Sequence, residues 1–506
     1  MKRSISVLLI FYVALLFSCK LLGLSGAEDN PSGPPLTIVA IGDSITMGTQ
    51  DAGLLNDFQR SNYPYLIALQ AKALDDFMQP YVRPPGIGVP PYERPLEISN
   101  NQIIVTYWPD TDGDGRPDID YDEIASRLSH SSLMWSFPYN NLGVNGAKLF
   151  DMRNATSHED SGDNYSFDIV LRNTTSFPVP NFGGKTVVKQ AKLLDPDIIL
   201  LWIGNNDILG TVLEGCGTNG DDFYYTDPKE FETEYRNLLN DLLAITDRIV
   251  MANIPAYLPF GYALDGIYKD ESGFLNLFDP ETFEPIDFDI DATEEEYVPL
   301  LLEEPDARHL LLYGAIGYFG LDFENDLGIG IPNDAALQGF PYYISDPDKR
   351  KNLLDAIKGY GLNPSGVALE GEYTITQDEE TAVLSIINAY NTIIATLSSE
   401  YGIPLVDIVA SWWHKDPPDP FGGYSGAYPI QDEENTTFSL DGVHINNLGH
   451  ALSANAFIEV LNKEYHLGIP KLNPESYKGQ YFGKAIRSES LKAINRVQEM
   501  YAPRKK

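Results

Sequence analysis

Short apolar runs alternate with amphipathic stretches along much of this 506-residue chain, which predicts strands followed by helices. The runs are continuous rather than alternating, as expected for strands buried on both faces of a parallel sheet. We predict strands at residues 36–41, 103–107, 198–203, 248–252 and 404–408. Helical spacing predicts helices at residues 63–77, 228–244, 379–401 and 448–461. The pattern therefore indicates an α/β fold whose mainly parallel sheet is covered by helices on both faces.

The strand–helix alternation stops at about residue 256 and resumes at about residue 377. The segment between, rich in Gly, Pro and acidic residues, is interpreted as a long insertion in a domain that spans residues 36–466. Its apolar stretch at 310–321 carries three glycines. That stretch suits either a lid over an acyl chain or a core element of the insertion.

The two ends of the chain differ from the predicted domain. Residues 1–27 combine Lys2 and Arg3 with an apolar run that is short for a membrane span, which is typical of an export signal. The stretch Leu16-Phe17-Ser18-Cys19 resembles a bacterial lipoprotein cleavage box, with removal of residues 1–18 and lipidation of Cys19. Ordinary cleavage after Ala27, giving a secreted protein, and an uncleaved anchor are the alternatives.

Two further segments flank the domain. Residues 28–35 are polar with three prolines and predict a linker. Residues 467–506 form a basic C-terminal tail, which from Lys471 onward holds nine Lys and Arg against three Glu. The tail is interpreted either as docking on an acidic body or as a solvated helix end.

The overall charge limits the partners of the protein. Asp and Glu number 73 against 35 Lys and Arg, a net charge of −38. Such a field repels phosphate backbones, so nucleic acid is not expected as a partner. The second cysteine is Cys216, so lipidation or loss of Cys19 leaves no intrachain disulfide.

Four separated segments carry candidate chemistry, and each is expected just after a predicted strand, where open α/β sheets form their sites. Gly42-Asp43-Ser44 follows the first predicted strand, where a serine hydroxyl is exposed near helix-end amides, although a helix N-cap is the ordinary interpretation. Gly143-Val144-Asn145-Gly146 and Gly204-Asn205-Asn206-Asp207 suit either ordinary turns or donors to an oxyanion, with Asp207 bracing its loop. In Asp441-Gly442-Val443-His444, a carboxylate three residues before a histidine can bond Nδ1 and leave Nε2 free as a base.

Taken together, these four blocks in this order resemble the SGNH, or GDSL, hydrolase family. The resemblance implies a flavodoxin-like three-layer sandwich and an ester hydrolase with Ser44 as nucleophile. It also implies His444 as general base, Asp441 as its orienting carboxylate, and no catalytic cofactor. The implied oxyanion donors are the amides of Ser44 and Gly146 and the side chain of Asn206. The chain departs from the family pattern at Ile445, where proline is frequent. It contains no Gly-x-Ser-x-Gly elbow, which argues against the other common plan of serine hydrolases.

A separate acidic run predicts a structural calcium site. Asp110, Asp112, Asp114 and Asp118 surround Gly113 and Gly115, and alternating carboxylates followed by glycine can converge on Ca²⁺. The spacing resembles EF-hand and thrombospondin type 3 loops. Tyr121 at the twelfth position lacks the bidentate glutamate, so a plain acidic turn is the alternative.

The ester substrate stays open at this point. An exported lipolytic esterase is the first hypothesis, because the insertion carries the apolar stretch at 310–321. A carbohydrate esterase that removes acetyl groups is the second, because Trp412-Trp413-His414 and the Gly/Tyr-rich segment to Tyr428 suit sugar stacking as well as core packing. A non-catalytic surface binding protein with the same fold is the third.

Overall fold

The computed structural model describes residues 36–479, apart from internal segments at 90–91, 100–101, 105, 112–117, 174–180, 214–223, 256–286, 292–293, 298–300, 302–308, 312–328, 339–344, 360–362, 369–373, 413–434 and 442. Several predicted features lie outside the described residues. These are the export signal with Cys19, the linker at 28–35, Cys216 and most of the basic tail. Most of the predicted insertion lies outside them as well.

A five-stranded parallel sheet forms the centre of the fold. Its strands are β1 (Ile38–Gly42), β2 (Asn141–Gly143), β3 (Ile198–Trp202), β4 (Ile249–Ala252) and β5 (Leu405–Val406). They lie in the spatial order 2-1-3-4-5, and all four pairings are parallel. This is the order of flavodoxin-like sheets, and it confirms the predicted fold class.

Seven helices position the site or cover the sheet. They are α1 (Ser44–Met47), α2 (Tyr63–Gln70), α3 (Val187–Leu193), α4 (Asn206–Leu213), α5 (Pro228–Leu243), α6 (Gln377–Tyr401) and α7 (Asn447–Tyr465). The remaining described helices are Asn56–Gln59, Tyr121–Arg127, His130–Leu133, Asp151–Asn154, Ser166–Leu171, Asp334–Gln338, Pro347–Gly359 and Ile408–Ser411, with 3₁₀ turns at Leu74–Asp76, His158–Asp160 and Pro474–Tyr477.

Alternate residues of each central strand enter opposite cores, as strand geometry requires. Val39 and Ile41 of β1 pack on the side of α3, α5 and α6, whereas Ile38 and Ala40 pack on the side of α2 and α7. The first core includes the stacked rings of Phe231 and Tyr390, whose centroids lie 4.0 Å apart. Two helical layers therefore enclose the sheet.

The length and apolar composition of helix α6 raise the question of a membrane span. Within the described residues, the stretch Asp378–Tyr401 is long and apolar enough to span a membrane. Its buried side chains fall on one stripe, at Val383, Ile387, Tyr390, Ile394 and Leu397, and pack against the sheet. This spacing is that of an amphipathic helix that packs one face on the core of the fold.

The structure corrects two of the elements predicted from the sequence. The strand predicted at 103–107 forms as Gln102–Ile104, but it pairs antiparallel with Glu97–Ser99 in a separate hairpin, outside the parallel sheet. The helix predicted at 63–77 ends at Gln70, and a 3₁₀ turn follows at Leu74–Asp76. Other described two-stranded pairs are Gly53–Leu54 with Ile87–Gly88, Asp287–Asp291 with Glu294–Tyr297, and His309–Leu311 with Thr374–Thr376.

Candidate active site

The register of the sheet brings three of the four sequence blocks to one edge. Gly42, the last residue of β1, lies opposite Gly143 of β2 and Trp202 of β3. Parallel strands all end at the same edge, so the segments after these three residues emerge side by side. Ser44, Gly146 and Asn206 follow their strands by two to four residues, which places them at the carboxyl edge of the sheet.

Ser44 stands on a tight turn from β1 into α1. The Gly42 position admits no side chain, because a Cβ there would lie 2.2 Å from the Trp202 carbonyl oxygen. Asp43 caps the helix by accepting the Ile45 N–H at 3.1 Å. The capping residue is thus Asp43 rather than Ser44, and the cap does not consume the Ser44 hydroxyl. Ser44 itself is 5% exposed.

The carboxyl of Asp43 links the serine turn to its neighbours. Its Oδ2 accepts the Asn205 side-chain amide at 2.6 Å. Burial raises the pKa of Asp43 to about 6, although the bonds from Asn205 and Ile45 and the nearby imidazole of His444 all lower it. The geometric link between the His444 loop and the serine segment is the hydrogen bond from the Ala52 N–H, in the turn after α1, to Asp441 Oδ2 at 2.6 Å.

Asp441 and His444 form a histidine–carboxylate pair. The His444 Nδ1 lies 2.8 Å from Asp441 Oδ2, and both side chains are largely buried. Burial alone would raise the pKa of Asp441, but the His444 charge and the hydrogen bonds from His444 and Ala52 hold it at about 2. An ionised carboxylate only accepts, so Nδ1 carries the proton and Nε2 presents its lone pair.

This pair does not follow a strand of the central sheet, contrary to the expectation for all four blocks. Residues Phe438 and Ile445 form an isolated antiparallel bridge, and the Ser439 N–H donates to the His444 carbonyl at 2.8 Å. The loop is therefore a hairpin-like excursion that precedes α7. Asn446, which caps α7 through the Gly449 N–H, ends it.

The proposed oxyanion donors lie on loops that contact each other. Gly146 is exposed and adopts a left-handed φ of 72°, which a glycine tolerates without strain. The Asn206 side-chain amide donates one proton to the Ala147 carbonyl at 2.9 Å, which leaves its second proton for another acceptor. In the described part of the chain, the N–H groups of Ser44 and Gly146 donate to no intramolecular acceptor.

Asp207 braces these loops, as its sequence position suggested. Its Oδ2 accepts the Leu149 N–H at 2.9 Å, and its Oδ1 accepts the Thr226 hydroxyl at 2.6 Å. Burial raises the pKa of Asp207 to about 6 against these two hydrogen bonds. The carboxyl thus ties the Gly146 loop to the first turn of α4.

Three residues of the site were not singled out from the sequence. Asn205 holds Asp43, while Asp51 and Ala52 hold the Asp441 loop from the turn after α1. Asn205 belongs to the third block and was available to sequence reasoning. Asp51 and Ala52 carry no motif, because their partners lie 389 residues away.

The predicted calcium loop is described only in part. Asp112 and Asp114 lie outside the described residues, whereas Asp110 and Asp118 lie within them. The Asp118 Oδ2 accepts the Thr111 N–H at 2.7 Å and also the Thr111 hydroxyl. No group of three metal-ligating side chains occurs among the residues that the structure describes, so calcium binding stays a prediction.

The segments that bear on substrate choice are also described only in part. Leu310 and Leu311 belong to the strand His309–Leu311, and the remainder of the predicted lid lies outside the described residues. Trp412 is buried in the core beside α7, in keeping with the packing interpretation for this residue. Trp413, His414 and Tyr428 fall outside the described part of the chain.

Comparisons with known proteins add little to this geometry. No protein-family model and no curated protein matches the chain. Among solved structures, the chain is similar to LAE5, an alpha/beta hydrolase enzyme from the metagenome of Lake Arreo, Spain, with 12% identity over 84% of this chain and 93% of that chain. The TM-score is 0.29, and a likeness of that size carries no inference about activity.

Proposed function

We propose that this chain is a serine ester hydrolase with Ser44 as nucleophile and His444 as general base. The observation that carries the proposal is the 2.8 Å contact between His444 Nδ1 and the ionised Asp441, whose loop is bound at 2.6 Å by the Ala52 N–H in the turn that follows the Ser44 helix. A base oriented by a carboxylate beside a serine is the arrangement that activates a hydroxyl for acyl transfer.

The chemistry follows from the protonation states of the site. Nε2 of His444 takes the Ser44 hydroxyl proton as the oxygen attacks the ester carbonyl. The imidazolium is stabilised by Asp441, and it then donates the proton to the departing alcohol. Water repeats the sequence on the acyl-enzyme, which releases the carboxylic acid and regenerates Ser44.

The oxyanion of each tetrahedral intermediate would be held by three donors. These are the N–H groups of Ser44 and Gly146 and the second amide proton of Asn206. One such preorganised donor contributes roughly 3 kcal/mol to transition-state stabilisation. The bond from Asn206 to Ala147 and the brace from Asp207 to Leu149 keep the donor loops in place before substrate binds.

The direct test compares wild type with Ser44→Ala. We expect the substitution to lower hydrolysis of p-nitrophenyl esters by more than about 10³-fold and to abolish covalent labelling by a fluorophosphonate. Ser399→Ala, on the exposed face of α6, is the matched control and should label like wild type. Full activity of Ser44→Ala would overturn the assignment, and a wild type that neither reacts nor labels would favour a binding protein.

For the substrate, we propose acyl lipids, on the strength of the apolar stretch at 310–321 in the sequence. A series of p-nitrophenyl esters from acetate to palmitate measures the preference. An optimum at long chains supports a lipase or lipid esterase. A preference for acetate would instead support the alternative proposal, an esterase that removes acetyl groups from carbohydrate.

We also propose that the enzyme is exported and tethered to a membrane through a lipidated Cys19. The sequence 1–19 supports this, since it combines the basic start, the apolar run and the cleavage box. Metabolic labelling with an alkyne fatty acid should mark wild type and spare Cys19→Ala. Equal labelling, or none in either, would refute the tether.

A further inference from the structure

The turn that follows α1 has a strained backbone. Gln50 and Gly53 exchange both N–H···O bonds, at 3.0 and 2.9 Å, so they close a tight two-residue turn around Asp51 and Ala52. These two residues have φ values of 52° and 54°. Turns of this kind normally place Asn or Gly at the centre, because left-handed backbone is unfavourable for side chains with a Cβ.

The strained turn faces the Asp441 loop. The Ala52 N–H donates to Asp441 Oδ2 at 2.6 Å, on the same oxygen that meets His444 Nδ1. The Asp51 N–H donates to Ser439 Oγ at 3.0 Å, and that hydroxyl donates to Asp441 Oδ1 at the same distance. The Ala52 N–H therefore binds the Asp441 carboxylate directly, and the Asp51 N–H is linked to it through the Ser439 hydroxyl.

The Asp51 side chain completes the contact. Its Oδ1 accepts the Leu440 N–H at 2.8 Å, one residue before Asp441. The Leu96 N–H binds the Asp51 carbonyl at 2.7 Å and fixes the turn from the other side. Asp51 is 1% exposed, so these bonds are made without competition from water.

We propose that the turn Gln50–Gly53 positions the Asp441–His444 pair, with Asp51 as a positioning residue. This inference rests on the proposed hydrolase function and adds a residue to it. Backbone strain that persists in a fold is commonly retained at a functional site. Here the strained conformation aims two adjacent N–H groups at one loop, which an ordinary right-handed turn does not do.

The burial of Asp51 and its closeness to Asp441 predict a pH dependence for this contact. Burial, and to a smaller extent the neighbouring charge of Asp441, raise the pKa of Asp51 to about 8 against the opposing effect of the Leu440 N–H bond. Among the described residues, His444 and Tyr92 also interact electrostatically with Asp441. Above pH 8 a second carboxylate would form beside Asp441, and repulsion between the two would displace the loop.

The experiment compares Asp51→Ala and Asp51→Asn with wild type in the full chain. Asp51→Asn keeps an acceptor for the Leu440 N–H, so kcat for p-nitrophenyl ester hydrolysis at pH 7 should stay within about threefold. Asp51→Ala removes the acceptor and should lower kcat by roughly 10- to 100-fold with KM little changed, the scale for a catalytic group misplaced by up to 1 Å. Asp168→Asn, in the buried pair with His158, is the matched control and should behave as wild type.

The pH profile separates positioning from a general loss of stability. Wild-type kcat should fall above about pH 8, and this alkaline limb should be absent from Asp51→Asn. If Asp51→Ala does not fold, the pH dependence of kcat in Asp51→Asn still tests the inference. An unchanged limb, or wild-type kcat in Asp51→Ala, would overturn the inference.

A readout that needs no turnover keeps the two proposals distinct. The His444 Nδ1 proton, held by a carboxylate, should give a far-downfield proton resonance in wild type that shifts upfield or broadens in Asp51→Ala and persists in Asp51→Asn. Persistence in all three would refute the positioning role. An inactive, unlabelled wild type would refute the hydrolase instead.

Discussion

Replacement of Asp441 by Asn should trap His444 in the wrong tautomer. The Oδ1 of Asp441 accepts three donors, from Ser439 Oγ at 3.0 Å, Val443 N at 2.9 Å and His444 N at 2.8 Å. The Oδ2 accepts the Ala52 N–H and the His444 Nδ1–H. An amide has one oxygen, and the three donors retain it on the Oδ1 side.

The amide nitrogen then faces His444 Nδ1 and donates to it. The imidazole must accept at Nδ1, so its proton moves to Nε2, which can no longer take the Ser44 proton. Loss of the correct tautomer in such a triad lowers kcat by about 10⁴-fold, which corresponds to roughly 5.5 kcal/mol of transition-state stabilisation. The new amide also opposes the Ala52 N–H, so a modest decrease in Tm should accompany the loss.

The assay is kcat for a p-nitrophenyl ester at pH 7, together with the rate of fluorophosphonate labelling at Ser44. Asp168→Asn provides the same chemical change in a second histidine–carboxylate pair, where His158 Nδ1 lies 2.6 Å from Asp168, and should retain wild-type activity. If folded Asp441→Asn keeps more than a tenth of wild-type kcat, the carboxylate does not set the tautomer and the reasoning is wrong.

Three further predictions concern separate features of the structure. Asn206→Ala should lower kcat by about 10²- to 10³-fold with little change in KM, and a loss below tenfold would remove it from the oxyanion hole. Gly143→Ala should reduce the free energy of unfolding in urea by about 3 kcal/mol, because its Cβ would lie 2.4 Å from the Met47 N; Gly359→Ala, with open space around it, is the control. Burial, and to a lesser degree the charge of His444, lower the pKa of His450 from 6.5 to about 3. The neutral buried imidazole of His450 therefore stabilises the fold fully above pH 6.5, and this contribution declines as the pH falls toward 3. Between pH 7 and 5, His450→Gln should therefore lose about 2 kcal/mol less free energy of unfolding than wild type, and equal losses would contradict a neutral buried imidazole.

Much of the fold was predictable because a parallel strand that is buried on both faces is a continuous apolar run, and such a run is visible in the local sequence. The run Ile198–Trp202 is entirely apolar, and its burial on both sides of the sheet follows directly. The edge strand Asn141–Gly143 was missed, since three residues that include a polar Asn and a Gly carry no strand signature. The strand Gln102–Ile104 was recognised but assigned to the wrong sheet, because a partner is chosen by long-range packing.

The candidate site divides in the same way. The sequence by itself supplied Ser44, Gly146, Asn206, Asp441 and His444 as candidates, because their four short blocks, taken together and in this order, resemble the pattern of one hydrolase family. Only the tertiary structure brought the turn at Asp51 and Ala52 into contact with the Asp441 loop. Only the folded chain lowers the pKa of Asp441 and raises the pKa of Asp51. The physical reason is that side-chain chemistry is a local property, whereas burial, charge proximity and hydrogen bonding across 389 residues arise only when the chain is folded.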